Sequence, residues 1–134
     1  MLEKSIENYE ETRFNNTHRE ITILTMYIYN VTINIDESVH EEWLTWMETH
    51  IPEVLNTGRF LSAKLTQVLV DEEMGGVTYS VQYTAATRED LDDYYTFDAD
   101  NLRNNGLKKF ADKMITFRTE LKVINEFYPT TTSN

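Results

Sequence analysis

The chain has 134 residues, 23 acidic against 12 basic, and a formal net charge of −11 with histidine neutral. With 40 % apolar and 26 % charged residues it has the make-up of one ordinary globular domain. The acid excess argues against nucleic acid or an anionic membrane as partner, and the absence of Cys excludes disulfides, thiolate metal sites, iron–sulfur clusters and cysteine nucleophiles.

A secretory signal needs a basic start and an apolar run of about 7–15 residues. Met1-Leu2-Glu3-Lys4-Ser5-Ile6-Glu7 has neither. No stretch reaches the roughly 18–20 apolar residues of a membrane span, so the expected location is cytoplasmic. Residues 1–25 are polar from Leu2 to Glu20 and show no helical stripe, which predicts a flexible extension. Met26 is an alternative start. The globular domain is expected over residues 26–128 and a disordered tail over 129–134.

Residues 27–35 alternate. Tyr27, Tyr29, Val31, Ile33 and Ile35 face one way and Asn30, Thr32 and Asn34 the other, as in a strand with one buried face. Ile21-Thr22-Ile23-Leu24 could lengthen it. After Asp36-Glu37, Ser38 and Glu41 make a capping box. Val39, Trp43, Trp46 or Met47, Ile51 and Val54 then recur at helical spacing. Pro52 is expected to kink this helix or start a new turn, and Gly58 to end it. Phe60 to Val70 predicts a second strand, and Gly75-Gly76 a hairpin turn.

Residues 77–86 form a third strand, with Val77, Tyr79, Val81 and Tyr83 on its inner side. Thr87 with Asp90 caps a second helix, whose inner stripe is Leu91, Tyr95, Ala99 and Leu102. Asn104-Asn105-Gly106 is a candidate interruption before Leu107 and Phe110. In a last strand over 114–124, Ile115, Phe117, Leu121 and Val123 are expected inside, with Arg118, Glu120 and Lys122 outside. The order βαββαβ is the α+β, ferredoxin-like plan, with a four-stranded antiparallel sheet in the order 4-1-3-2 and two helices on one face.

That arrangement leaves one sheet face open and polar, formed by Asn30, Thr32, Asn34, Ser80, Gln82, Thr84, Arg118 and Glu120, with Lys64, Thr66, Val68 and Val70 as further candidates. Such a face either meets water or pairs with a second copy, as in a dimeric α/β barrel. A homodimer is the expected assembly. Asn30, Ser80, Gln82, Arg118 and Glu120 are the candidate binding residues for a small-molecule ligand or a protein partner.

His50 and Glu53 are the weak catalytic candidates, because a carboxylate can tune an imidazole into a general base. With three histidines, at 18, 40 and 50, no zinc spacing exists. Asp98-Ala99-Asp100 fails as a calcium loop, since Leu102 and Arg103 stand where a ligand and the turn glycine belong. Trp43, Trp46, Tyr94 and Tyr95 are expected in the core. No phosphate loop is present, and no metal or other cofactor is expected.

Several runs carry a family resemblance. They are Tyr29-Asn30-Val31-Thr32-Ile33-Asn34-Ile35-Asp36, His40-Glu41-Glu42-Trp43-Leu44-Thr45-Trp46-Met47, His50-Ile51-Pro52-Glu53-Val54-Leu55, Glu73 to Tyr83 and Phe117-Arg118-Thr119-Glu120-Leu121. Over residues 26–127 the chain resembles the domain-of-unknown-function 4286 family of small bacterial proteins. The resemblance implies a small cytoplasmic protein and assigns no functional residue. The topology is also similar to that of dimeric α/β-barrel proteins, which include cofactor-free monooxygenases and isomerases. The expected function is therefore non-catalytic binding through the open face of a dimer. The alternative is a cofactor-free enzyme acting on a small organic substrate.

Overall fold

A computed structural model describes residues 25–71, 73 and 75–130; all but the last residue of the flexible extension expected over residues 1–25, and the end of the tail expected over 129–134, lie outside them. Among these residues the chain forms strand β1 (Tyr27–Ile35), a short 3-10 turn and helix α1 (His40–Leu55), then β2 (Ser62–Gln67) and β3 (Val77–Ala85). A helical stretch follows in three parts: α2 (Arg88–Asp93), a π turn (Tyr94–Asp98) and α3 (Ala99–Phe110). A second 3-10 turn leads into β4 (Met114–Lys122).

The sheet order is β2-β3-β1-β4, the ferredoxin-like order expected from right-handed crossovers. Every neighbouring pair is antiparallel. The helices cover the face that carries Tyr29, Ile33 and Ile35 of β1 and Tyr79, Val81, Tyr83 and Ala85 of β3, all buried. Trp43, Met47 and Val54 of α1, Leu91 of α2 and Phe110 of α3 close the core from above. Period-2 burial on the strands thus meets helical-period burial on the helices, which is why this sequence folds in two layers.

Local chemistry departs from expectation at several points. Ser38 and Glu41 do not form the capping box. Asp36 instead accepts from the Ser38 amide at 2.9 Å and from the Ser38 hydroxyl at 2.6 Å, and a 3-10 turn precedes α1. The shorter Asp side chain reaches the nearby amide without waiting for a full helical turn. Pro52 lies inside α1, which continues to Leu55, and Gly58 turns the chain with φ 82°. Strand β2 is shorter than the 60–70 expected. Phe60 is buried in the core instead, and the backbone bonds of Leu61 and Val68 to β3 extend the pairing at both ends. Asn104-Asn105-Gly106 does not interrupt α3; the irregularity falls earlier, at the π turn. Thr87 caps α2 as expected, accepting from the Asp90 amide at 3.0 Å.

The main correction concerns β4. Register sets Arg118 opposite Val31 and Glu120 opposite Tyr29, so both side chains share the helix-covered face. Ile115, Phe117 and Leu121 lie on the open face, opposite Asn34, Thr32 and Ile28, and are 58 %, 66 % and 42 % exposed. Alternation along a strand states which residues share a face; the pairing register states which face it is. Because β4 is an edge strand, its long polar side chains can reach over the sheet margin toward the helices while their ends stay near water.

Candidate functional site

Between the helix-covered face and the helices lies a cavity with about 520 Å³ of space, open solvent at its mouth included. Its floor is formed by Val31, Ile33 and Val81 from the sheet, and its roof by Trp43, Trp46 and Met47 of α1 and Leu102 of α3. Polar groups stand among this apolar lining: Tyr29, His50, Arg103, Thr116 and Arg118. Mostly apolar walls with a few converging polar groups are the common form of a small-molecule site.

Tyr29 anchors the polar cluster. Its hydroxyl oxygen accepts from Arg103 Nη2 at 2.9 Å and from Arg118 Nε at 3.0 Å. The Tyr29 ring is held by packing with Phe60, Tyr83, Tyr94 and Tyr95. Arg103 also lies over the rings of Tyr29 and Tyr95 at about 6 Å. The π turn contributes here, since it carries Tyr94, buried against Phe60, together with Tyr95. Such turns recur at functional sites because one extra residue re-aims the side chains around it. Burial raises the Tyr94 and Tyr83 hydroxyls well above the usual phenol value, so both stay protonated.

Glu120 stands opposite Tyr29 in the register, outside the cavity wall. Arg88 grips it with two bonds, 2.9 and 3.1 Å, and the Tyr95 hydroxyl donates to it at 2.6 Å. Together these hold its carboxyl below the ordinary glutamate value. His50 stacks on Trp46 one turn earlier in α1, with centroids 4.3 Å apart and rings 17° from parallel. Desolvation pushes its imidazole down to about 4, so it is neutral at pH 7. Gly106 of α3 permits the close approach of the two helices, since a Cβ there would stand 3.2 Å from Trp46.

The residues singled out from sequence fall into three places. His50 and Arg118 both line the cavity wall, and Glu120 does not. Glu53 is exposed and absent from that wall, so it is not brought to His50. Asn30, Ser80 and Gln82 remain on the open face, half-buried, where Ser80 donates to Asn30 at 2.6 Å and Asn30 to Thr32 at 3.2 Å. Sequence reasoning missed Tyr29 as an anchor and Arg103 as a residue of the site. Arg103 follows Leu102 of the inner stripe, and its place one position round the helix was the available signal.

This arrangement defines a ferredoxin-like α+β protein with a cavity between sheet and helices. The chain belongs to the family described as Domain of unknown function (DUF4286), whose model matches residues 26–124. No curated protein matches it. Its fold is similar to that of a dimeric ferredoxin-like protein from an uncultured marine organism, at TM-score 0.57 and 14 % identity, covering 77 % of this chain and 98 % of that one. It is also similar to a hydroxynitrile lyase from Passiflora edulis, at TM-score 0.50 and 15 % identity, covering 77 % and 97 %. A protein from Arabidopsis thaliana is similar at TM-score 0.50 and 15 % identity, covering 79 % and 98 %.

Proposed function

We propose that this protein is a cytoplasmic homodimer that binds a small organic molecule in the cavity between its sheet and its helices. The observation that carries the reading is the make-up of the cavity wall, in which two arginines, the Tyr29 hydroxyl, Thr116 and a neutral imidazole interrupt a mostly apolar lining. This moves the binding role from the open face to the covered one, and leaves the open face for self-association.

Two observations support pairing. Ile115, Phe117 and Leu121 present an apolar strip on the open face, which water does not favour. A solved protein of similar fold is described as dimeric. Face-to-face packing of two sheets into an α/β barrel would cover that strip and set the Asn30–Ser80 network against its partner. Native mass spectrometry of the full chain is expected to show twice the 15.8 kDa subunit mass, and only the subunit mass for Phe117→Glu. A monomeric wild type overturns the pairing. A thermal-shift screen over small carboxylates, phosphates, sugars, nucleosides and neutral aromatics tests the cavity, and no shift with any class overturns it.

A second reading is supported by His50. A neutral imidazole in an apolar cavity is suited to act as a general base without a cofactor. The Passiflora enzyme shows that a lyase occurs on a similar fold, though fold alone assigns no reaction.

A further inference from the structure

Arginines are scarce in this acidic chain, and their pairing is uneven. Four lie among the described residues. Arg59 pairs with Asp93 and Asp98, and Arg88 with Asp92 and Glu120. Arg103 and Arg118 form no ion pair with a carboxylate among the described residues, although the whole chain has 23 acids against 12 bases. These two are the ones that line the cavity, and they converge on one neutral oxygen, that of Tyr29. Two guanidiniums brought together without a counter-charge repel each other, and the cost grows as the surroundings lose water.

The wall holds further unmet demand. Trp43 Nε1, His50 Nδ1 and Arg103 Nε are buried without a hydrogen-bond partner among the described residues, and all three residues line the cavity. Trp43 Nε1 and Arg103 Nε carry an N–H in every state, and a buried N–H without a partner keeps its desolvation penalty, so acceptors brought to the wall improve it. The Tyr29 hydroxyl accepts twice and keeps its own proton available to donate. Glu120, the acid on the same strand face, is already committed to Arg88 and Tyr95.

We propose that the cavity binds a small organic monocarboxylate, its charge held by Arg103 and Arg118 beside the Tyr29 hydroxyl and its apolar body against Val31, Val81 and Trp46. The assignment rests on the cavity reading above and names its ligand class. Planar guanidiniums suit a carboxylate because their N–H donors match its two oxygens.

The chain supplies its own reporter, since its two tryptophans, Trp43 and Trp46, both stand in the wall. Tryptophan emission of the full chain is titrated with benzoate and, separately, with benzamide, which keeps the shape and removes the charge. Benzoate is expected to change the emission along a saturable curve, with benzamide at least tenfold weaker. Arg118→Gln, at an exposed position, is expected to weaken benzoate at least tenfold and leave benzamide unchanged. Arg103→Lys keeps the charge without the fork and is expected to weaken benzoate less than Arg118→Gln does, so the assignment survives if either arginine alone proves essential to the fold. Equal binding of benzoate and benzamide overturns the anion assignment and leaves the cavity reading standing. Binding of neither overturns the monocarboxylate assignment, and the cavity reading is then decided by the thermal-shift screen across the other ligand classes.

Discussion

The imidazole of His50 gives the sharpest quantitative test of the cavity. In the folded chain desolvation holds it at about 4, against 6.5 when exposed. The folded value lies below the unfolded one, so the unfolded chain takes up the proton first as pH falls. Stability is therefore complete above pH 6.5 and is lost progressively down to about pH 4, where the loss levels off. A difference of this size corresponds to about 3 kcal/mol, and contact with solvent at the cavity mouth reduces it to about 2 kcal/mol. The perturbation is His50→Phe, which keeps a ring stacked on Trp46 and removes the titrating group. Urea unfolding of both proteins at pH 7.5, 6.5, 5.5 and 4.5 separates the His50 contribution, because the carboxylates titrate alike in both. The wild type should lose about 2 kcal/mol more than the variant over that range. Parallel curves would mean that the imidazole is solvated, and the buried neutral base would be wrong.

Three further outcomes follow from the packing. Leu91→Ala opens a hole at a fully buried position of α2 and is expected to cost about 3 kcal/mol in urea unfolding, with less than 1 kcal/mol contradicting the core described. Thr87→Ala removes the acceptor for the Asp90 amide and should cost about 1 kcal/mol, while Thr87→Ser should cost almost none. Phe117→Glu is expected to separate the proposed dimer, as read by light scattering, and to leave the subunit folded, as read by calorimetry, because the ring is 66 % exposed in the single chain.

The order of elements was legible in the residues themselves. Alternation in residues 27–35 and 77–85, helical spacing from Trp43 to Val54 and the Thr87 cap are local signals, and local geometry turns them into strands and helices with little outside help. Right-handed crossovers then leave one sheet order for βαββαβ, and the chain adopts it. His50 was singled out with Glu53 as its tuning carboxylate, but Glu53 is exposed and outside the cavity wall, so the spacing did not carry the pairing.

Facing on β4 could not. Ile115, Phe117 and Leu121 have the pattern of an inner side, yet the register with β1 turns them outward and turns Arg118 and Glu120 toward the helices. A period of two cannot distinguish the faces, and the usual rule that apolar means inside fails where a second subunit is proposed to be the other wall. The cavity is likewise a tertiary product. Tyr29, Arg103 and Arg118 are separated by 74 and 89 positions along the chain, and only sheet pairing and helix docking bring two guanidiniums to one hydroxyl. Composition announced an acidic protein with few bases. Where the carboxylate-free pair of those bases sits, and hence what it can hold, was decided by the packing of sheet against helix.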